Sequence, residues 1–109
     1  MTTCETDCNL PGSLPKGALF VQKVRHSAFY ESSLNHLLNI KDIETVVLAG
    51  QVTEQCILYT ALDAYIRGFD IRVVREACAP LDDELGDAAL KMMERNMSAD
   101  LIEAADAFD

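Results

Sequence analysis

The 109-residue sequence contains no run of eighteen apolar residues, so no membrane-spanning helix is expected from it. Its first ten residues, "MTTCETDCNL", hold two acids and lack a basic stretch followed by an apolar one. They do not read as a secretory leader, and a cytoplasmic location is the expectation. Bases are scarce: 9 Lys and Arg stand against 18 Asp and Glu, for a net charge of −9. A surface so poor in positive charge does not suit phosphate, so neither nucleic acid nor an anionic membrane is expected as a partner. Repeats and low-complexity tracts are also missing. What is present is 50% hydrophobic and 25% charged, enough apolar material for one domain with a single core.

Without a secretory signal, Cys4, Cys8, Cys56 and Cys78 are expected to be reduced thiols rather than two disulfides. The spacing of Cys4 and Cys8 suits the first half of a metal site, but no second ligand pair follows. A structural zinc is not expected, and no other metal or cofactor is implied.

Residues 1–17 hold Asn9, Pro11, Gly12, Ser13, Pro15 and Gly17 without apolar periodicity and read as a loop; residues 18–104 read as the domain. "ALFVQK" reads as a strand ending at Lys23. "ESSLNHLLN" spaces Leu34, Leu37 and Leu38 as a helix does, with Ser32 or Ser33 available as its cap. "TVVLAG" is a nearly continuous apolar run stopped by Gly50, the pattern of a strand buried on both faces. Thr53 then caps a helix from Glu54 to Arg67, closed by Gly68. "DIRVVRE" reads as a strand ending at Glu76, residues 83–96 as a helix, and "ADLIEA" as a short last strand. The acidic tail, residues 105–109, is expected to fray. Strands alternating with helices in this order predict an α/β fold, a parallel sheet with flanking helices. In such sheets the ligand crevice lies beyond the carboxyl ends of the strands. Lys23, the Gly50–Thr53 turn with Cys56, and Glu76 are therefore predicted to meet on one edge.

A thiol in the first turn of a helix faces unpaired N–H groups and a partial positive charge, both of which stabilise a thiolate. A nearby Lys23 adds to that, and the same N–H groups suit the oxyanion of a tetrahedral intermediate. Such a set fits acyl transfer through a thioester. Against it, free cysteine is among the most buried of residue types, and a lysine closing a strand is ordinarily solvated.

Longer stretches carry more. "FVQKVRHSAFYESSLNHLL" and "IETVVLAGQVTEQCILYTALDAYIRGFDIRVVREACAP" resemble the isochorismatase-like cysteine hydrolases, which include nicotinamidases, N-carbamoylsarcosine amidases and isochorismatases. The resemblance runs from about Pro15 to about Ile102. It rests on a Lys before Ser-Ala-Phe, a Gly-x-x-Thr-x-x-Cys turn, a Thr-Ala-x-Asp-Ala helix and a later strand closing on an acid. It implies a Rossmann-like three-layer fold, Lys23 as catalytic lysine, Cys56 as nucleophile, a cis peptide at Gln51–Val52, and an oxyanion hole from the N–H groups of Val52 and Cys56. His26, Phe29 and Tyr30 are expected to line the substrate, with Phe29 equally suited to the core and His26 to a structural contact.

The family's third catalytic member, an aspartate after a first strand near the N-terminus, has no match here, and neither do the metal-binding histidines of nicotinamidase members. The N-terminal strand and helix that would carry the aspartate are not found. Glu5 and Asp7 fall in the loop. Asp63 lies roughly 10 Å along the helix axis from Cys56, too far for proton transfer, and is expected to pair with Arg67 or a neighbouring element. Glu76 is no better placed, and His36 is expected on the surface. A sheet short of its first strand exposes an edge and an apolar patch, which predicts association with a second copy or with a missing N-terminal segment. The resemblance therefore implies a cysteine hydrolase of a small amide or carbamoyl substrate, possessing Cys56 and Lys23 but not the aspartate. The alternatives are an inactive relative serving as a binding or oligomerisation module, and a redox role for Cys56 with Cys78.

Overall fold

The computed structural model describes residues 17–107. Strands β1 (Thr45–Gln51), β2 (Asp70–Ala79) and β3 (Asp100–Ile102) pair in parallel in the order β1-β2-β3. Parallel neighbours need a long crossover, and each connection contains a helix: α2 (Leu58–Ile66) between β1 and β2, α3 (Asp83–Asn96) between β2 and β3. A shorter helix, α1 (Leu34–Ile40), precedes β1. This is the expected α/β arrangement.

Side-chain alternation along the strands divides the sheet into two unlike faces. Ile71 and Val73 of β2 join Ala61 and Ala64 of α2 and Ala89 and Met93 of α3 in one buried cluster, against which Val46 and Leu48 of β1 pack. The alanines let the helices approach the sheet closely, and Met93 is fully buried. Val47 and Ala49 project to the other face. There a groove of about 630 Å³ runs along β1, lined among others by Val47, Val74, Ala104 and Ala107, with Leu34 and Leu38 of α1 beside it. Among the described residues β1 has β2 as its one strand neighbour.

The helix ends follow local chemistry. Asp82 caps α3, its carboxylate accepting the Leu85 N–H at 3.0 Å, and Asp83 and Glu84 sit in the favourable first turn. Gly68, at φ +88°, closes α2: its N–H bonds Tyr65 O at 3.0 Å and the Phe69 N–H bonds Ala64 O at 3.0 Å, a left-handed cap that glycine adopts without strain. The expected bounds of α3 match the observed ones.

Three expectations are corrected. Residues 18–23 form no strand, because no described strand lies beside them to complete a ladder. Strand β2 continues past Glu76 to Ala79: its register against β1 jumps from Leu48↔Val73 to Gly50↔Cys78, so extra residues bulge out and pairing resumes. The two serines expected at the start of α1 share the cap: Ser33 holds the N-cap position without a side-chain bond, and the Ser32 hydroxyl accepts the Leu34 N–H at 3.3 Å. Finally, the start of the expected fraying tail is folded: Ala104–Asp106 form a 3₁₀ turn and Ala107 is buried. Residues 108–109 lie outside the described residues, as do Cys4, Glu5, Asp7 and Cys8.

Candidate active site

Beyond the carboxyl end of β1 the chain turns through Gly50, at φ +125°, and a cis Gln51–Val52 peptide into a helical run. That run does not open as an α-helix capped by Thr53. Residues Thr53–Ile57 form a π-helical turn whose N-cap is Val52, and the Ile57 N–H reaches back to Val52 O at 3.1 Å. The wider turn moves the cap one residue toward β1 and leaves the buried Thr53 hydroxyl without a partner among the described residues. Cys56 lies inside this turn. Single π turns within α-helices recur at functional sites because they re-aim a side chain.

Lys23 arrives from the unpaired segment before α1. Its Nζ donates to Cys56 Sγ at 3.2 Å and to the His26 carbonyl at 3.3 Å. Both side chains are half-buried at the mouth of a cavity of about 530 Å³. Ala28, Leu48, Gly50, Gln51 and Thr60 contribute to its walls, together with Ala77 and Ala79 from beyond the β2 bulge. A smaller depression of about 380 Å³ is lined by the same pair with Val24, Arg25, His26 and Gln55. None of the described residues lining either space is acidic.

The other expected residues divide. His26 borders the smaller depression and meets Tyr59 edge-to-face, with ring centroids 5.8 Å apart. Phe29 is core, 4% exposed and stacked on Phe69 at 6.0 Å. Tyr30, 48% exposed, lines neither space beside Cys56, because the turn after Phe29 carries it outward. His36 is exposed on α1. Asp63 pairs with Arg67 at 3.0 Å and also accepts from Ser27 on the Lys23 segment. Glu76 caps the last turn, accepting the Ala104 N–H. Cys78 pairs with Gly50 in the ladder, and burial pushes its thiol up, outweighing the contact with the Gly50 backbone that lowers it. A thiol held protonated is a poor redox partner, which weighs against a Cys56–Cys78 couple.

Sequence reasoning missed Glu54. Its two carboxylate oxygens accept the N–H groups of Leu81 at 3.2 Å and Asp82 at 2.8 Å, tying the π turn to the start of α3. Partial desolvation raises its pKa, but the hydrogen bonds from Asp82, its own amide and Leu81 outweigh that and hold it below the ordinary value. Nothing in the local sequence signals a bond across 28 residues. Among the described residues no three His, Cys, Asp or Glu side chains converge as a metal site requires.

Comparison with known proteins places this geometry among relatives. A family model described as the isochorismatase domain matches residues 6–106. The Bacillus subtilis isochorismatase family protein YaaI is 37% identical over 82 residues, which is 75% of this chain and 45% of YaaI. Maleamate amidohydrolase of Pseudomonas putida is 45% identical over 60 residues, 55% of this chain and 28% of that enzyme. Among solved structures, nicotinamidase PncA from Bacillus subtilis superposes with a TM-score of 0.75 at 35% identity, over 76% of this chain and 46% of PncA. N-carbamoylsarcosine amidase from Thermoplasma acidophilum gives 0.71 at 30% identity, over 82% of this chain and 50% of that one. The chain spans under half the length of these curated relatives.

Proposed function

Because the chain belongs to the isochorismatase family, we propose that it supplies the lysine–cysteine part of a hydrolase site acting on a C–N bond in a small amide or carbamoyl compound. The observation that carries this reading is the 3.2 Å contact of Lys23 Nζ with Cys56 Sγ at the mouth of a cavity. The contact sets a sulfur nucleophile beside a positive charge that faces the same cavity. In this reading the thiolate attacks the carbonyl carbon, and the resulting oxyanion rests against the backbone N–H groups of Val52 and Cys56. The C–N bond then breaks, the nitrogen leaves with a proton as ammonia or an amine, and a thioester remains on Cys56. Water cleaves the thioester, releasing the acid and restoring the thiol. The amidase names of the relatives support a C–N substrate, and the predominantly apolar wall of the cavity suits a small, uncharged one.

The proton acceptor for these steps is not among the described residues lining the cavity. In this reading it is a carboxylate brought by a segment that joins the open edge of β1, which leads directly to the Gly50 turn.

The test is incubation of the full chain with nicotinamide, maleamate and N-carbamoylsarcosine, following ammonia release and the intact mass of the protein. The expected result is ammonia release or an acyl adduct mapped to Cys56, either one lost in Cys56→Ser. Neither signal with any amide, together with Cys56 alkylation that Lys23→Ala leaves unchanged, would overturn the hydrolase reading and favour the binding-module alternative.

A further inference from the structure

Four residues of the helical run fall on one stripe: Cys56, Thr60, Asp63 and Arg67 stand four, three and four positions apart. The Lys23 segment lies along this stripe and meets every one of them. Lys23 Nζ reaches Cys56 Sγ at 3.2 Å, and the Ala28 N–H donates to Thr60 Oγ1 at 3.0 Å. The Ser27 hydroxyl donates to Asp63 Oδ2, and the Arg67 guanidinium lies 4.9 Å from the centre of the Phe29 ring.

Asp63 is the node of the set. One carboxylate oxygen takes the Ser27 hydroxyl while the other takes Arg67 Nη1 at 3.0 Å. With its proton committed to Asp63, the Ser27 oxygen is oriented as an acceptor and receives the Phe29 N–H at 3.2 Å. The carboxylate also fixes Arg67 over the Phe29 ring. Ser27, Ala28 and Phe29 are all buried, so the bonds of Ala28 to Thr60 and of Phe29 to Ser27 form where solvent does not compete freely, while the Asp63–Arg67 pair stands at the surface. Lys23 has no ladder to hold it, since residues 18–23 pair with no described strand. Apart from its own bond to the His26 carbonyl, the anchor nearest to it in the chain lies four residues downstream, at Ser27.

We propose that Asp63 is a positioning residue that holds the Lys23 ammonium against the Cys56 thiol by latching the Ser27–Phe29 segment onto α2. This rests on the lysine–cysteine pairing in the proposed function, and the experiment separates the two. The rate of Cys56 alkylation by iodoacetamide is measured between about pH 5 and pH 9 in the full chain, read by peptide mass spectrometry, because alkylation follows the thiolate fraction. Lys23→Ala sets the benchmark. Asp63→Ala is expected to slow labelling near neutral pH about as much as Lys23→Ala does, on the order of tenfold, and to move the pH profile the same way. Ser27→Ala should give part of the effect, and Asp63→Glu should recover part of it.

A double variant, Lys23→Ala with Asp63→Ala, should label no more slowly than Lys23→Ala alone, since the second change acts only through the first. Core variant Met93→Ala serves as the control for lost stability and should leave the pH profile in place. If Lys23→Ala leaves alkylation unchanged, the lysine–cysteine pairing itself fails. If Lys23→Ala slows it and Asp63→Ala does not, or if Met93→Ala mimics Asp63→Ala, the positioning inference alone is overturned.

Discussion

The two faces of the sheet are built from similar residues and end differently. On one, Ile71 and Val73 lie under α2 and α3 with Met93 fully buried between them. On the other, Val47 and Ala49 line a groove of about 630 Å³ beside a strand that has one described neighbour. Yet β1 has the sequence of an interior strand, a nearly unbroken apolar run of the type that parallel sheets cover on both faces. The difference teaches that the site stands at the border between the two. Lys23, Cys56 and the latch to Asp63 are carried by α2 and the segment packed on it, and Ala28, Phe29 and Thr60 of that contact also line the groove.

The largest effect should come from the closed side. Met93→Ala empties a filled position and is expected to cost about 2–5 kcal/mol in urea unfolding. Gly86→Ala should follow at about 1–3 kcal/mol. Alanine ordinarily favours a helix over glycine, but a Cβ at Gly86 would stand 2.5 Å from the Pro80 Cβ, and a proline ring has little room to give.

Glu54→Gln sharpens the contrast through pH. A carboxylate whose folded pKa lies below the ordinary 4.5 contributes its stabilisation fully above that value and loses it as pH falls through the folded one. The stability difference between wild type and Glu54→Gln should therefore be greatest near neutral pH and shrink below pH 4.5. Urea midpoints of both proteins measured across that range check the sign.

The smallest effect is expected on the open side. Val47→Ala, bordering the groove, should cost under about 1 kcal/mol, because little packing is lost there. If it costs as much as Met93→Ala, the groove is filled in solution and the contrast between the faces breaks.

Much of this fold was legible before any coordinates. The apolar period over residues 83–96 reads as α3, Gly68 marks the close of α2, and the run at 45–50 declares a strand. What could not be read depends on partners distant in sequence. "ALFVQK" has the composition of a strand, but a strand exists only where a neighbour completes its ladder. The π turn follows from backbone geometry after Gly50, which residue preferences do not encode, and so the cap falls at Val52 instead of Thr53. Phe29 fitted either core or pocket on type alone and was decided by Phe69. Lys23 and Cys56 are singled out by their places at a strand end and a helix start and then by family resemblance, whereas the joint hold of Asp63 on Ser27 and Arg67 emerged only with the fold.

The account stands most directly on whether the fold activates Cys56 through Lys23. The decisive measurement is the iodoacetamide labelling rate of Cys56 near pH 6.5 in the folded chain, relative to the same cysteine in urea, for wild type and Lys23→Ala. An ordinary cysteine thiol, with a pKa of about 8.5, is almost wholly protonated at about pH 6.5. The account predicts faster labelling in the folded wild type than in urea, with the excess abolished by Lys23→Ala. A folded Cys56 that labels no faster than the unfolded one, or an excess that survives loss of the lysine, would contradict it.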